Sequence, residues 1–359
     1  MTGRGANPAM ATAVLALPAP VGRRVGGGAP APIWPVAFGS TELAGRMDYM
    51  EDTTSIHPAF FTWVDGTAMH FAGVFDGHGG TQVSALCQRQ MHIILAEELA
   101  GETAHFLLRR RHHQRLQVVW VEQNEEEVAW RAALMRAFVR VDALADLACA
   151  CGEATLPRCV CPLSGVVSRY PCVGSTAVVA LLVGDRIVVA NCGDSRAVLC
   201  RGPAGSPPVP LSDDHKPDRP DERARIRSVG GQVLYDRYRT PRVRGLLAMS
   251  RALGDRLLRP AVICEPEITV TTRTMADQFL ILASDGMWDV MSNKNACAAA
   301  RGCLEDGMNH PMAAAAGAVG PDPERRCKVA AVFLAELALD MGSRDNISTV
   351  VVDLQNRAG

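Results

Sequence analysis

Three stretches of this chain place an aspartate at one end of an apolar run that is typical of a buried strand. Asp76 follows the run in FAGVFDGHGG, Asp285 follows the run in QFLILASDG, and Asp345 precedes the run in DNISTVVVDL. An aspartate at a strand end is by itself an ordinary turn residue. Carboxylates that met at one edge of a sheet would repel each other and raise each other's pKa values unless cations neutralised them. The fold therefore has to keep these strand ends apart or supply cations where they meet.

More acids occur in the same setting. Glu51 and Asp52 precede another predicted strand, and Asp194 lies in NCGDS. Carboxylate-rich, all-oxygen sites suit hard cations such as Mg²⁺ or Mn²⁺. Two such ions that share a carboxylate can activate a water and hold a phosphoryl oxygen. Gly77 would let a main-chain carbonyl approach an ion. Together the acids favour a metal centre over unrelated turns.

Composition restricts the possible partners and compartment. The chain has 359 residues and a net charge of −1, so no overall field draws it to nucleic acid or a membrane. No apolar run reaches the roughly 20 residues that a membrane helix needs. Residues 1–35 are rich in Ala, Pro and Gly and lack acids, which predicts a disordered tail, with organelle targeting as the alternative. Twelve cysteines without a clear signal peptide indicate reduced thiols in the cytoplasm or nucleus.

The order of predicted elements indicates an α+β fold. Consecutive strands joined by hairpins are predicted for the segment STAVVALLVGDRIVVANCGDSRAVLC. Helices are predicted over 81–99, 125–147, 221–228 and 324–341. Hairpin-connected strands with helices in separate blocks favour stacked layers over a parallel βαβ array. Polar segments predict inserted loops near 101–125 and 149–172.

Five cysteines lie close together in the second of these loops, and they leave two interpretations open. They are Cys149, Cys151, Cys159, Cys161 and Cys172. Paired thiolates could hold zinc or sense redox state, but a Cys-x-Cys spacing is tighter than the usual zinc motif. The alternative is an ordinary surface loop.

Eight segments, in order, resemble the motif set of the metal-dependent type 2C serine/threonine protein phosphatases, and most closely the plant group that acts in abscisic acid signalling. They are MEDTTSIHP, FAGVFDGHGG, VGSTAVVALL, VVANCGDSRAVLCRG, LSDDHKPDRPDERARI, LAMSRALGD, LILASDGMWDVMSN and SRDNISTVVVDL. The resemblance implies one catalytic domain over 36–359. It would be a β-sandwich of two antiparallel sheets flanked by helices, with a dinuclear metal centre at one edge.

The resemblance also implies roles for individual residues. Asp76 would bridge two Mg²⁺ or Mn²⁺ ions, and the Gly77 carbonyl would bind one of them. Asp285 and Asp345 would hold the other. Four more acids would bind or orient metal waters or recruit a third ion: Glu51, Asp52, Asp194 and Asp289. His78 would act as general acid in the hydrolysis of phosphoserine or phosphothreonine by a metal-activated water.

Two departures from the family pattern affect what can be carried over. The family's phosphate-clamping arginine is replaced by Met47, and Arg46 lies one residue earlier. Either Arg46 reaches the site through a bulge as a catalytic residue, or phosphate capture is weak. In the abscisic acid group a tryptophan contacts the hormone receptor, and the matching segment here, GGQVLYDRYRTPRVRGLLAMSR, has no tryptophan. Its absence argues against the hormone receptor as a partner. The four arginines of this segment, Arg237, Arg239, Arg242 and Arg244, form either a substrate loop or a solvated basic surface.

The leading hypothesis is a monomeric phosphatase that acts on phosphorylated proteins, including protein kinases, in signalling. The first alternative is a weakly active or inactive protein of the same fold that binds and sequesters kinases. The second is a hydrolase of small phosphate esters.

Overall fold

The computed structural model describes residues 34–116, 121–155, 159–163, 172–306 and 322–355. Residues from Trp34 onward form one compact unit. Apart from Trp34 and Pro35, the predicted tail of residues 1–35 lies outside the described residues.

The described strands are short to medium in length and are numbered in chain order. They are β1 (Ala37–Leu43), β2 (Thr53–Thr62), β3 (Ala68–Phe75), β4 (Gly77–His78), β5 (Gly174–Ser175), β6 (Ala177–Val183), β7 (Arg186–Cys192), β8 (Arg196–Arg201), β9 (Val209–Pro210), β10 (Val233–Tyr235), β11 (Pro241–Val243), β12 (Leu253–Gly254), β13 (Glu267–Thr272), β14 (Asp277–Ala283) and β15 (Ile347–Asp353).

Two antiparallel sheets contain most of these strands. The first sheet has the order β1-β15-β14-β8-β9, and the second has the order β13-β7-β6-β3-β2. A small sheet, β12-β5-β4, and the hairpin β10-β11 lie outside them.

Strand β6 shows why the apolar runs are continuous. Val178, Ala180 and Leu182 belong to the apolar layer between the two sheets. Val179 and Leu181 point to the opposite face and pack in a cluster with the long helices. Side chains alternate along a strand, so a strand that is buried on both faces needs apolar residues at every position.

With one short exception, which packs against the segment that contains the hairpin β10-β11, the described helices lie on the outer faces of the two sheets. They are α1 (Gln82–Leu116), α2 (Glu122–Leu144), α3 (Pro220–Ser228), α4 (Asp285–Trp288), α5 (Asn293–Asp306) and α6 (Pro323–Asp340). Helices α1 and α2 share an apolar cluster with the second sheet, and α4 to α6 share one with the first. The predicted α+β sandwich with flanking helices is confirmed. No helix in the described part of the chain is long and apolar enough to cross a membrane.

The predicted loop near 101–125 is wrong, because α1 continues to Leu116. Phe106 is buried at 5.5 Å, ring centre to ring centre, from Trp63. The basic stretch that predicted a loop instead pairs with acids of α2: Arg109 lies 3.1 Å from Glu125, and Arg110 lies 3.3 Å from Glu122. An antiparallel helix therefore supplies the charges that keep this polar segment helical.

The expectation of fully reduced cysteines also needs a correction. Cys200 of β8 and Cys297 of α5 form a disulfide between the first sheet and its covering helix, with their Cα atoms 5.8 Å apart. The two residues are separated by 97 positions in the chain. No spacing rule pairs cysteines that lie so far apart in the chain, so this bond could not be predicted from local patterns.

Candidate metal centre

The end of β3 is held by hydrogen bonds to a neighbouring segment. The Asp76 amide donates to Thr176 Oγ1 at 3.1 Å, and the Thr176 amide donates to the Asp76 carbonyl at 2.8 Å. Thr176 Oγ1 is also 2.7 Å from Ser195 Oγ, next to Asp194. The polar contacts fix the direction in which the Asp76 side chain leaves the sheet.

Gly77 allows a close approach between β4 and the segment before β2. A Cβ atom on Gly77 would overlap the Glu51 carbonyl oxygen and would lie 2.7 Å from Ser84 Oγ. The Ser84 hydroxyl donates to that same carbonyl. The missing side chain at Gly77 therefore lets Glu51 and Asp52 lie against Asp76.

Asn346 ties the segment between β1 and β2 to the start of β15. Its side-chain oxygen accepts from the Glu51 amide at 2.7 Å, and its side-chain nitrogen donates to the Ala44 carbonyl at 3.0 Å and the Tyr49 carbonyl at 2.9 Å. A Cβ on Gly286 would overlap the Asn346 carbonyl oxygen, so Asp285 and Asp345 approach each other closely. The sequence placed Asn346 beside an acid but did not predict this positioning role.

The electrostatics show that the acids share one environment. Burial raises the pKa of Asp76 well above its usual value, and the charges of Asp52, Asp285, Asp194 and Asp345 raise it further. The structure thus brings together, from both sheets, the carboxylates whose convergence the strand ends predicted.

Four further acids near Asp76, in the same carboxylate cluster, also have raised pKa values. Burial raises the pKa of Asp285 well above its usual value, and that of Asp52 to about 7. Burial also raises the pKa values of Glu51 and of Asp289, which lies on the exposed rim.

The donor atoms fit divalent cations of the hard class. Asp52 Oδ2 and Asp194 Oδ1 are buried and have no hydrogen-bond partner among the described residues. Buried oxygens without partners are costly unless an ion or water satisfies them. The donor set consists of carboxylates and the Gly77 carbonyl, which is the chemistry that Mg²⁺ and Mn²⁺ prefer.

Lys216 is a site residue that sequence reasoning missed. Its Nζ lies 2.6 Å from Asp194 Oδ2 and 4.0 Å from Asp285 Oδ2. Burial lowers the pKa of Lys216, but the charges of Asp194 and Asp285 outweigh burial and raise it overall. A fixed positive charge therefore offsets part of the repulsion. The only signal was its place in the motif LSDDHKPDRPDERARI.

His78 pairs with a buried carboxylate that the sequence did not single out. His78 Nε2 lies 2.7 Å from Asp255 Oδ2. A Cβ on Gly174 would overlap that oxygen and lie 2.7 Å from Nε2, so β5 closes tightly over the pair. Burial lowers the pKa of His78, but the hydrogen bond and charge of Asp255, with Asp194 and Glu51, raise it overall.

Arg46 and Met47 lie in the turn before Glu51. The Arg46 guanidinium donates to the Leu339 carbonyl at the end of α6, at 3.4 Å. The Met47 side chain is 47% exposed. The structure therefore directs Arg46 to α6 and leaves Met47 where the family pattern has its arginine.

The four arginines of the predicted substrate loop lie on or next to the exposed hairpin β10-β11. Arg242 pairs with Asp236 at 3.0 Å and donates to the Leu246 carbonyl, so it stabilises the hairpin itself. Arg237 lies over the Tyr238 ring, 4.6 Å from its centre. Arg239 and Arg244 have positive φ values of 65° and 52°.

We expect Gly77→Ala to lower kcat/KM by about 100-fold or more, because a shift of about 1 Å at a catalytic site costs that much. Steady-state kinetics with a phosphothreonine peptide and Mn²⁺ would measure it. Gly101→Ala is the matched control, since a Cβ at Gly101 meets no atom within 4 Å. Equal activity of the two variants would show that the close approach at Gly77 is unimportant.

Comparisons with known proteins show which family the chain resembles. The sequence model of the family "Protein phosphatase 2C" matches residues 169–347. "Probable protein phosphatase 2C 37" of Oryza sativa subsp. japonica is 47% identical, over 91% of this chain and 77% of that protein. "Probable protein phosphatase 2C 24" of Arabidopsis thaliana is 42% identical, over 89% and 78%.

A solved structure shows the same fold. The crystal structure of serine-threonine phosphatase 2C from Toxoplasma gondii aligns with a TM-score of 0.63 and 23% identity, over 91% of this chain and 97% of that one. The structural likeness and the close plant relatives lead to one conclusion: this chain belongs to the protein phosphatase 2C family.

Proposed function

We propose that this serine/threonine protein phosphatase works with two Mg²⁺ or Mn²⁺ ions at the carboxylate cluster. The observation that carries the proposal is the convergence of Asp76, Asp285 and Asp345 with buried oxygens that lack partners. Such a cluster is electrostatically costly on its own and is stabilised by divalent cations.

The residues divide into two groups around the ions. Those that would hold the two ions are Asp76, the Gly77 carbonyl, Asp285, Asp345 and Glu51. Those that would orient water or recruit a third ion are Asp52, Asp194 and Asp289. When bound, the ions would supply Lewis-acid polarisation of a phosphoryl oxygen and a water of lowered pKa.

His78 would hold and deliver the proton that the leaving seryl or threonyl oxygen needs. Nε2 is committed to Asp255, and Nδ1 is buried with no hydrogen-bond partner among the described residues. We therefore assign the donated proton to Nδ1. Asp255 favours the protonated ring because its charge raises the pKa of His78.

The substrates in this proposal are phosphorylated proteins, including protein kinases of a stress pathway like that of abscisic acid. The motif resemblance and the plant relatives support this setting. The hormone receptor is not included, because the hairpin β10-β11 lacks a tryptophan. The proposed compartment is the cytoplasm or nucleus, and the proposed state is a monomer.

One observation keeps a second function in view. Met47 cannot bind phosphate as a guanidinium does, and Arg46 is engaged by the Leu339 carbonyl. A chain with intact metal-binding acids but poor phosphate capture could bind and sequester kinases with little turnover.

The main test is turnover of a phosphothreonine peptide with Mn²⁺. We expect activity that EDTA abolishes and that Asp76→Asn lowers by about 1,000-fold or more, because the variant loses charge stabilisation at the reacting centre. Asp340→Asn, an exposed acid at the end of α6, should retain activity. Mn²⁺ uptake without turnover would favour the sequestering function. If the chain neither takes up Mn²⁺ nor turns over the peptide, both the phosphatase proposal and the metal-bound sequestering alternative are refuted.

The proton-donor assignment has its own test in the pH profile. Asp255→Asn removes the charge that raises the pKa of His78, so that pKa falls. Activity that needs protonated His78 is lost as pH rises through this pKa, and we expect the basic limb of the kcat profile to move to lower pH. Asp65→Asn, at an exposed turn, is the control. An unmoved basic limb would refute the assignment.

The phosphate-capture hypothesis predicts a gain of function. Met47→Arg should lower KM and raise kcat/KM about tenfold or more, because charge-assisted bonds to phosphate contribute about 1.5–3 kcal/mol. Met47→Lys is the matched control and should raise kcat/KM less, since lysine adds a positive charge but lacks the planar guanidinium that binds two phosphate oxygens at once. If Met47→Arg changes neither constant, weak capture at this position is ruled out.

A further inference from the structure

Four thiols that the phosphatase chemistry does not use converge after α2. We define the cysteine cluster as Cys149, Cys151, Cys159 and Cys161. Their Sγ atoms all lie within 4.8 Å of one another. Cys149 Sγ lies 3.5 Å from Cys161 Sγ, and Cys151 Sγ lies 3.7 Å from Cys159 Sγ.

These separations have the size expected for a tetrahedral metal site. Zn–S bonds of about 2.3 Å in a tetrahedron place neighbouring sulfurs about 3.8 Å apart. A disulfide would instead require a sulfur–sulfur distance of about 2.05 Å. The four sulfurs are therefore spaced for one shared ion and not for two covalent bonds.

The structure also shows how the tight Cys-x-Cys spacing can work. The first residue of one pair, Cys149, faces the second residue of the other, Cys161, and Cys151 faces Cys159. The two short pairs thus face each other in antiparallel order, and each contributes two ligands. Although each Cys-x-Cys spacing is tighter than the usual zinc motif, the fold brings all four sulfurs together.

The first pair lies in a turn that backbone bonds hold in shape. The Cys149 amide donates to the Glu153 carbonyl, and the Gly152 amide donates to the Cys149 carbonyl, both at 2.8 Å. Ala148 and Ala154 form an antiparallel bridge at the base of the turn. The positions of Cys149 and Cys151 are thereby fixed before any ion binds.

The turn is docked on α1, the helix that follows His78. Gly152 has φ +85°, and a Cβ there would lie 2.6 Å from the Ala85 carbonyl oxygen. Arg89 donates to the Cys151 carbonyl at 2.8 Å and pairs with Glu153 at 2.9 Å. Arg89 therefore holds the turn against α1 by two polar contacts.

We propose that Cys149, Cys151, Cys159 and Cys161 bind one structural Zn²⁺ as a tetrathiolate site. Thiolates are soft ligands that select zinc, whereas the carboxylate cluster suits Mg²⁺ or Mn²⁺. Binding displaces the thiol protons to solvent. With four protein ligands the site has no open position for catalysis.

The zinc site would hold the turn that follows α2 against α1. Gly174 of β5 packs against Asp255 and His78, and the Asp255 amide donates to the Val173 carbonyl at 3.0 Å. The ion would thus attach to α1 the part of the chain that precedes β5, the strand that packs on the His78–Asp255 pair. This proposal does not depend on the proposed phosphatase mechanism.

Metal content of the purified full chain is the direct test. Under reducing conditions we expect about one zinc per chain by mass spectrometry of the elements. Cys159→Ser/Cys161→Ser should reduce this to below about a tenth, since two ligands are lost. Cys172→Ser, outside the cluster, and Asp76→Asn, in the carboxylate cluster, should both keep the zinc. Zinc that persists in the double variant, or is absent from the unaltered chain, would overturn the proposal.

Spectroscopy on the unaltered chain gives an answer even if a variant fails to fold. Replacing zinc by Co²⁺ should produce the intense visible and near-ultraviolet bands of tetrahedral cobalt bound to thiolates. Weak bands typical of oxygen ligands would refute the site. Intact-mass measurement that shows the four cysteines as two disulfides under the same conditions would also refute it and identify a redox pair instead.

Discussion

Repulsion between carboxylates at one edge of the sandwich is the constraint on which the site depends. Asp76 comes from the second sheet, and Asp285 and Asp345 adjoin neighbouring strands of the first. Burial and the charges of neighbouring acids raise the pKa values of Asp76 and Asp285. A raised carboxyl pKa means that the ionised form is unfavourable when no counter-charge is present. Lys216 supplies one positive charge, and divalent cations would supply the rest. The stability of this edge and its chemistry therefore have the same electrostatic origin.

Close backbone approaches hold the charged groups in place. Gly77 lets Glu51 approach Asp76, Gly286 lets Asp285 approach Asp345, and Gly174 closes over His78 and Asp255. Asn346 then links the segment between β1 and β2 to the start of β15 by three hydrogen bonds. Gly77 and Gly286 follow directly on β3 and β14, whose apolar residues are buried in the sandwich. A rigid apolar sandwich thus positions polar groups that would separate if they were free to move.

The chain also keeps two kinds of ligand in separate places. Oxygen donors collect at the edge of the two sheets, and sulfur donors collect in the cysteine cluster after α2. Hard and soft cations prefer these two sets differently, so one chain can carry a catalytic and a structural ion without exchange between them. The proposed zinc ion would then help to position the active site through β5 and would take no part in the hydrolysis.

The sequence by itself determined the strand pattern and most of the carboxylate cluster. Apolar runs such as that of β6 predicted strands buried on both faces, and aspartates at strand ends predicted where charge would collect. Only the tertiary structure decided what depends on distant partners. The basic end of α1 stays helical because α2 supplies Glu122 and Glu125, and Lys216 and Asp255 reach the site through segments far from Asp76. Periodicity and turn residues are local properties that a sequence displays directly, whereas these ion pairs and the disulfide form between residues that only folding brings together.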